Sequence, residues 1–377
     1  MTVTPLTYGV SELSAPPALR VAVVGAGFMG RVHAEAARRA GARVVAAMAG
    51  RPENADAAAL AVGAERGYAD LDDLLAHASV DVVHICTPNA LHAEAARAAL
   101  AAGAHVVCEK PLATEVPQAA ALNDAATAAG RVATVPFVYR FHPMVRELRE
   151  RLAAAEAGIV SAVNGSYLQD WLSRRSDDDW RVDSAMGGPS RSFADIGSHW
   201  CDLFEFVSGD RIARLSAQTS VVHERAAQGS GPATEDVASV QFRTAAGRVG
   251  TLVVSQVAAG RKNRLQMEIS GTEASFAFDQ EDPERLWVGR RDGSHILVRD
   301  PGAMSAAAAR YARLPAGHAQ GYQDCFDAFV ADTYRAVRGD DAPDGLPTFA
   351  DGLRAVRITD AVLTSAAGSG AWTEIAA

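Results

Sequence analysis

The chain has 377 residues, a length that most often makes two domains. Its composition, with 49% hydrophobic and 21% charged residues, is typical of a folded globular protein and excludes an intrinsically disordered chain. The formal net charge is −9 and there is no long run of Lys or Arg, which argues against nucleic acid or an anionic membrane as the main partner.

Further features narrow the class of protein. The first twenty residues have neither the basic start nor the apolar centre of a signal peptide, and no uncharged apolar run is long enough to predict a membrane span. The cysteines occur singly, at Cys86, Cys108, Cys201 and Cys325. Isolated cysteines, two of them in apolar runs, favour reduced thiols in a cytoplasmic protein over a disulfide framework.

After an N-terminal arm over 1–18, apolar β-type runs alternate with helical stretches. This alternation predicts βαβ units around a parallel sheet, and therefore a Rossmann-like α/β domain over 19–140. The predicted strands cover 20–25, 44–49, 81–87, 105–110 and 132–138, and the predicted helices end near 40 or cover 53–62, 90–102 and 115–129.

The pattern changes near residue 140. One more helix, over 143–156, leads into runs that alternate polar with apolar residues and are joined by Gly-containing turns, as in an antiparallel sheet with one exposed face. Helical segments return at 194–208, 318–338 and 349–366. We therefore predict a second, α+β domain over 141–377 on an open, mainly antiparallel sheet, with the last helix a candidate for packing back on the first domain.

The first strand is followed by the turn GAGFMG, in which Gly25, Gly27 and Gly30 have G-x-G-x-x-G spacing and enclose Phe28 and Met29. Glycines with this spacing permit a tight turn, close approach of a pyrophosphate, and tight packing of helix on strand. The first N–H groups of the following helix attract the anion. Because a strand precedes the turn and a helix follows it, the motif predicts a dinucleotide site rather than ordinary turn glycines.

The end of the second strand bears on the choice between NAD and NADP. An acid there binds the ribose 2′-OH, whereas an Arg accommodates a 2′-phosphate. The chain reads MAGRPEN, with no acid at 48–50, then Arg51 and, two residues later, Glu53. This favours NADP, or the use of both cofactors, over NAD alone, unless Arg51 is only a solvated side chain.

Two further segments, CTPNALH and CEKPL, follow the next two predicted strands, where doubly wound sheets bind their ligands. The residues expected at the cofactor from these segments are Thr87, Pro88, Asn89, His92, Glu109 and Lys110. Pro88 and Asn89 also fit an ordinary helix start. The Lys110–Pro111 bond is a candidate for the cis form.

Residues 194–202 read ADIGSHWCD. On a helix, Asp195, His199 and Asp202 share one face, since residues three and four apart are neighbours. Such a set is either part of an ordinary capped helix or a site that handles protons. The sequence has no HExxH and no CxxC, so we predict no metal site.

Together with the late PTFADGLRAV, these segments resemble the glucose–fructose oxidoreductase/inositol dehydrogenase (Gfo/Idh/MocA) family over essentially the whole chain. The resemblance implies hydride transfer between a nicotinamide and a secondary alcohol of a sugar or cyclitol. It also implies an open second sheet that often forms an oligomer interface, hence a homodimer or homotetramer, and a catalytic group of Lys110, Asp195 and His199. Segments such as QDW and LPAGHAQGY are most similar to levoglucosan-dehydrogenase-type enzymes, which suggests reaction at C3.

Hydride transfer requires a group that takes the hydroxyl proton. Neutral His199 is the favoured base, with Lys110 as its electrostatic partner, but a buried Lys110 is an alternative base. Asp195 would orient the imidazole or bind a hydroxyl, and Asp202 would at most support His199.

Sugar recognition needs convergent polar groups and an apolar wall. Besides Asp195 and His199, the candidates for substrate binding are Arg140, Trp171, Trp180, Arg181 and His318, with His142, Asp170 and Tyr322 ranked lower. Each tryptophan also fits a purely structural role, and Trp180 and Arg181 also fit contacts with the cofactor.

Two other functions fit this scaffold: a redox-neutral NAD-dependent glycosidase, and a dinucleotide or sugar sensor without catalysis. Turnover without net NADH would favour the glycosidase. The joint presence of Lys110, Asp195 and His199 argues against a sensor, because a sensor needs no proton relay.

Overall fold

The computed structural model describes residues 17–225, 231–340 and 344–376. Within these ranges the chain forms two sheets with helices packed around them. The arm predicted over 1–18 lies outside the described residues except for 17 and 18, which precede the first strand. No helix of the described part is long and apolar enough to cross a membrane.

The first sheet is the predicted Rossmann sheet. Its described strands are β1 (Arg20–Val24), β2 (Arg43–Met48), β3 (Arg66–Tyr68), β4 (Val82–Ile85), β5 (His105–Cys108) and β6 (Ala133–Thr134). All neighbours pair in parallel, in the order β3-β2-β1-β4-β5-β6. The order reverses between β1 and β4, and ligands of such sheets bind in the crevice outside the carboxyl ends at that point.

Helices cover both faces of this sheet, so its central strands are buried and mostly apolar, with His84 of β4 a buried polar exception. The helices between its strands are α1 (Phe28–Arg39), α2 (Ala55–Val62), α3 (Leu71–His77), α4 (His92–Ala101) and α5 (Val116–Ala129). β3 and α3 are missing from the predicted elements because both are too short to show a periodic pattern. Asp70 in the sequence is nevertheless a helix-capping residue for α3, because its carboxylate accepts the Asp73 backbone N–H at 2.8 Å.

The second sheet is mixed, mostly antiparallel and open. Its described strands are β7 (Val160–Leu168), β8 (Ile212–Ser220), β9 (Val237–Thr244), β10 (Val249–Ser255), β11 (Arg264–Gly271), β12 (Ser275–Asp279), β13 (Arg285–Arg290), β14 (Gly293–Val298) and β15 (Thr373–Glu374). They lie in the order β14-β13-β12-β11-β7-β10-β9-β8-β15, with β7 and β10 parallel. The predicted combination of a Rossmann domain and an α+β domain is confirmed.

The remaining α-helices follow the first sheet along the chain. They are α6 (Pro143–Ala153), α7 (Ser184–Gly187), α8 (Ser198–Ser208), α9 (Ala306–Ala309), α10 (Tyr322–Val337) and α11 (Phe349–Ala367). On α8, Trp200 and Phe204 pack against Phe242 of the second sheet. α10 packs on α1, and α11 packs on both α5 and β8. The division at residue 140 therefore stays a prediction, because the last two helices contact the Rossmann part.

Candidate active site

The glycine-rich turn lies at the carboxyl end of β1 and has the shape that a pyrophosphate requires. Gly25 has φ +100°, and a Cβ there would lie 2.5 Å from the Cys86 carbonyl oxygen. A Cβ on Gly30 would lie 2.0 Å from the Gly25 carbonyl oxygen, so a side chain at position 30 would push α1 away from the turn. Gly27, by contrast, faces open space directly before the N-terminus of α1.

A cavity of about 810 Å³ extends from this turn along the ends of β2, β4 and β5, a volume in the range of ligand sites. Thr87 lines this cavity, and its Oγ1 atom is buried and has no hydrogen-bond partner among the described residues. The predicted cofactor residues that line this dinucleotide cleft are Gly25, Gly27, Phe28, Met29, Thr87, Pro88, Asn89, His92, Glu109 and Lys110.

Some of these residues also hold the cleft together. The Asn89 side-chain amide donates to the Gly187 carbonyl at 2.8 Å. The His92 ring lies between the carbonyl oxygens of Pro111, at 2.7 Å, and Thr87, at 2.8 Å, and so links the loops after β4 and β5. These contacts fix the walls against which a dinucleotide would lie.

Two predicted cofactor residues lie elsewhere. Gly30 is buried behind the turn and acts through packing. Arg51 is exposed beyond the end of β2 and does not line the dinucleotide cleft, whereas Asn54 does. The expected contact between Arg51 and the adenosine ribose is therefore not formed by this side-chain conformation.

A second cavity, of about 310 Å³, contains the three predicted catalytic residues. The Lys110 ammonium donates to Asp195 Oδ1 at 2.6 Å and to the Asp195 carbonyl oxygen at 2.9 Å. Arg181 Nε lies 3.5 Å from the same Asp195 oxygen. His199 lines the same cavity, and the Lys110–Pro111 bond is cis. The structure thus brings Lys110, Asp195 and His199 together.

Asp195 and His199, which both line this catalytic cavity, differ in charge. Burial opposes the charge of Asp195, but Lys110 and Arg181 outweigh it, so the pKa of Asp195 lies below its ordinary value. Burial, and then the Lys110 cation, lower the pKa of His199 to about 3. Asp195 is therefore an anion at physiological pH and His199 a neutral imidazole.

The ring of His199 is held mainly by packing. Its Nδ1 atom is buried and has no hydrogen-bond partner among the described residues. Phe137 and Tyr139 contact the ring edge-on, with centroids 5.7 and 5.1 Å away. The neutral imidazole has one ring nitrogen that can accept a proton, and the low pKa makes it a weak base in this environment.

The expectation that Asp202 supports His199 is wrong. Asp202 lies three residues after His199 on α8, but its carboxylate faces Arg140 instead. It forms a buried ion pair with Arg140, whose guanidinium also contacts Asp351 at 2.8 Å. Arg140 lines neither the dinucleotide cleft nor the catalytic cavity, so its expected contact with substrate is replaced by this ion pair.

The other predicted substrate residues divide between the two cavities and the surface. Arg181 lines both cavities, and its guanidinium lies 4.3 Å from the ring centre of Trp180, which lines the dinucleotide cleft. Trp171 lies behind the catalytic cavity and donates to Gln169 Oε1 at 2.8 Å. His318 is exposed and lines neither cavity, so its contact with substrate stays a prediction.

Of the lower-ranked candidates, only Tyr322 lines the catalytic cavity. Asp170 pairs with Lys262 at 2.6 Å. His142 is buried away from the cavity, and burial lowers its pKa to about 4.

One wall of the catalytic cavity is polar and could not be predicted from the sequence. Tyr167 donates its hydroxyl proton to Asn263 Oδ1 at 2.8 Å, so the proton in its 2.5 Å contact with Tyr139 comes from Tyr139. Asn263 Nδ2 in turn donates to the Tyr139 oxygen at 3.2 Å, which closes a ring of three hydrogen bonds. Gln169 also donates to Asn263 Oδ1, at 2.8 Å. No local pattern marks these residues, because they meet only through the tertiary fold.

A second missed residue, Gln256, orients Asp195. Its Oε1 accepts from Arg191 Nη1 at 3.0 Å, so its Nε2 is free to donate to Asp195 Oδ2, at 2.6 Å. Arg191 is itself held by a buried ion pair with Asp236. Because an arginine cannot accept, the direction of the Gln256 amide is fixed.

Comparisons with known proteins agree with this geometry. Residues 19–137 match the model of the Gfo/Idh/MocA oxidoreductase family with an NAD-binding Rossmann fold, and residues 145–277 match the family's C-terminal domain. Levoglucosan dehydrogenase of Pseudarthrobacter phenanthrenivorans is 31% identical over 95% of this chain and 98% of its own. The chain belongs to the Gfo/Idh/MocA family. It is an NAD(P)-dependent oxidoreductase of the sugar-dehydrogenase type.

Solved structures support the assignment along the whole chain. A levoglucosan dehydrogenase in complex with NADH and levoglucosan superposes with a TM-score of 0.86 at 29% identity, over 96% of this chain and 100% of that one. An inositol dehydrogenase homologue from Azotobacter vinelandii in complex with NAD⁺ superposes with a TM-score of 0.88 at 28% identity, over 95% and 97%.

Proposed function

We propose that this Gfo/Idh/MocA member transfers hydride between a ring secondary hydroxyl of a sugar, glycoside or cyclitol and a nicotinamide cofactor, with C3 the first position to test. The observation that carries the proposal is the joint placement of a neutral His199 and an Asp195-bound Lys110 in a cavity that shares lining residues with the dinucleotide cleft. The solved relatives that hold levoglucosan or a nicotinamide cofactor support the same choice of ligands.

The two cavities share one wall. The residues that line both are Phe28, Met29, Glu109, Lys110 and Arg181. A dinucleotide whose pyrophosphate lies at Gly27 would reach this junction with its nicotinamide, and a substrate in the catalytic cavity would face it. The cofactor supplies the hydride chemistry when bound, and the protein orients the two reactants and moves the hydroxyl proton.

His199 and Lys110 divide the proton chemistry. During oxidation, neutral His199 accepts the hydroxyl proton, and the Lys110 ammonium stabilises negative charge on the substrate oxygen. In the reverse direction Lys110 polarises the carbonyl and protonated His199 returns the proton. Gln256 and Asp195 keep Lys110 in position, and the wall of Tyr139, Tyr167 and Asn263 offers hydroxyl and amide groups to a sugar.

We further propose that the enzyme uses NADP or both cofactors. The end of β2 has no acid at 48–50 to bind a ribose 2′-OH, and Arg51 is exposed close by, where a change of rotamer would bring it to a 2′-phosphate. Arg51→Ala is then expected to weaken the binding of NADP⁺ more than the binding of NAD⁺ in parallel titrations. Equal losses for the two cofactors would contradict this preference.

For the assembly we propose a homodimer or homotetramer built on the outer face of the second sheet. That face exposes apolar side chains, namely Val249, Val253, Trp287, Ile296 and Val298. Such a patch is typical of an interface.

The four cysteines are free, which fits the reducing cytoplasm that we propose as the location.

The experiment for the reaction follows reduced-nicotinamide absorbance with NAD⁺ and NADP⁺ across sugars, anhydrosugars, glycosides and inositols. We expect turnover with one substrate class, a loss of about 10²–10⁴-fold in kcat for His199→Asn, and normal turnover for His318→Asn, a matched change at an exposed histidine. Equal activity of the two variants would contradict the role of His199. Glycoside cleavage without net reduction, or binding without turnover, would replace the proposal by the glycosidase or the sensor.

A further inference from the structure

A chain of buried hydrogen bonds leads away from the junction of the two cavities. Glu109 Oε1 lies 3.0 Å from His33 Nε2, His33 Nδ1 lies 2.9 Å from His84 Nδ1, and His84 Nε2 lies 2.8 Å from the Tyr334 hydroxyl. His33, His84 and Tyr334 are 0% exposed. The chain joins β5, α1, β4 and α10, so four separate elements of the fold position one carboxyl group.

With neutral imidazoles, these contacts have one consistent arrangement of protons. A carboxylate only accepts, so His33 donates to Glu109 from Nε2, and its Nδ1 must accept from His84. The Nε2 atom of His84 then accepts from the Tyr334 hydroxyl. Burial and the neighbouring His33 lower the pKa of His84, which keeps that ring neutral. Every proton of the chain therefore points towards Glu109.

This arrangement favours an ionised Glu109. Burial opposes the charge, but the hydrogen bond and, when protonated, the positive charge of His33, followed by the charge of nearby Lys110, outweigh it, and the pKa of Glu109 lies below its ordinary value. The second carboxylate oxygen accepts the backbone N–H of Lys110 at 3.1 Å. The carboxylate is thus held in place by the buried His33 ring on one side and by the Lys110 backbone on the other.

The charges around the junction are unbalanced. Among the charged side chains that line the two cavities, Lys110 and Arg181 are cations, and Glu109, Asp179 and Asp195 are carboxylates, which leaves a net charge of −1. The two cations are already paired, Lys110 with Asp195 at 2.6 Å and Arg181 with Asp179 at 3.1 Å. Glu109 is the carboxylate that pairs with neither of these two cations, and its side-chain partner is the buried His33 ring.

We propose that Glu109, held ionised by the chain of His33, His84 and Tyr334, makes the bound dinucleotide more stable in its oxidised form, whose ring is cationic, than in its reduced form, whose ring is neutral. The inference rests on the proposed use of a nicotinamide dinucleotide at this junction and does not depend on which sugar is the substrate. Glu109 would touch the cofactor, and the other three are positioning residues.

Calorimetric titration of the purified full-length enzyme with NAD⁺ and with NADH tests this proposal directly. If NADP⁺ and NADPH bind more tightly, that pair is used instead. For Glu109→Gln we expect the affinity for the oxidised cofactor to fall by about tenfold or more relative to the affinity for the reduced one. A tenfold change in this ratio of affinities equals a change of about 30 mV in the potential of the bound two-electron couple. Glu94→Gln changes an exposed carboxylate on α4 outside both cavities. It should leave the ratio of the affinities for the oxidised and reduced cofactors unchanged. An unchanged ratio in Glu109→Gln would overturn the proposal.

The role of the chain is tested by a pair of variants at position 33. His33→Gln keeps an N–H donor for Glu109 and is expected to retain the wild-type ratio, whereas His33→Leu leaves the carboxylate without that donor and should shift the ratio in the same direction as Glu109→Gln. Thermal melting shows that each variant is folded. Identical ratios for His33→Leu and wild type would contradict the positioning role.

The two proposals fail separately. Sugar oxidation with an unaltered ratio in Glu109→Gln would overturn only the role of Glu109. A shifted ratio without any sugar oxidation would overturn only the proposed reaction.

Discussion

His199 is buried as a neutral imidazole, and this predicts how the stability of the protein depends on pH. Its pKa is lowered to about 3 by burial and by Lys110, whereas an imidazole in the unfolded chain titrates near ~6.5. Between these values the unfolded state binds the proton and the folded state does not. The free energy of unfolding must therefore fall as the pH is lowered through ~6.5.

The size of the effect follows from the two pKa values. Between pH ~7 and ~5 the unfolded imidazole becomes almost fully protonated, while the folded one stays neutral, so His199 alone removes about 2 kcal/mol of stability. Other buried histidines contribute their own losses, among them His142, whose pKa burial lowers to about 4. Only the difference between the wild type and a variant without the imidazole isolates His199.

The assay is urea unfolding, followed by tryptophan fluorescence, of wild type and His199→Asn at pH values from ~5 to ~7. We expect the stability difference between the two proteins to change by about 2 kcal/mol across this range, with the variant losing less on acidification. Parallel pH dependences would refute the reasoning, since they would mean that His199 is not held neutral in the folded protein.

Three further variants test other parts of the structure. Lys110→Met should lower kcat by about 10²–10⁴-fold with a smaller effect on KM, because the ammonium acts on charge that develops in the transition state; steady-state kinetics measure both. Gly30→Ala places a Cβ 2.0 Å from the Gly25 carbonyl oxygen and should abolish dinucleotide binding in a fluorescence titration; binding at wild-type affinity would show that the turn does not need this close contact. Asp202→Ala leaves the buried Arg140 without its main partner and should lower the free energy of unfolding, measured in urea, by about 3 kcal/mol or more. We expect kcat of the folded enzyme to stay near wild type. A large loss of kcat without a loss of stability would instead place Asp202 in the reaction.

Several features could be predicted from the sequence because they depend on neighbours along the chain. The spacing of Gly25, Gly27 and Gly30 after an apolar strand is a local requirement of a tight turn, and it located the dinucleotide cleft. The alternation of strands and helices likewise predicted a parallel sheet, whose topology brings the segments after β4 and β5 to the same edge. Lys110 and His199 were found through their motifs.

Other placements could not be predicted from the sequence, because the partner of a side chain depends on contacts between distant segments. Arg140 has the charge and hydrogen-bonding capacity of a sugar ligand, but the fold places it against Asp202. His318 has the chemistry of a site residue, but its loop leaves it exposed. Neither outcome is encoded in the residues next to them.

The sequence by itself thus determined the type of fold, the position of the cofactor turn and the residue types able to handle a proton, since these follow from periodicity, glycine geometry and side-chain chemistry. Only the tertiary structure decided which of those groups meet and in which charge state. Burial beside a cation keeps His199 neutral, four elements converge on Glu109, and residues up to 124 positions apart close the ring of Tyr139, Tyr167 and Asn263. Desolvation and contact distance, which control these properties, exist only once the chain has folded.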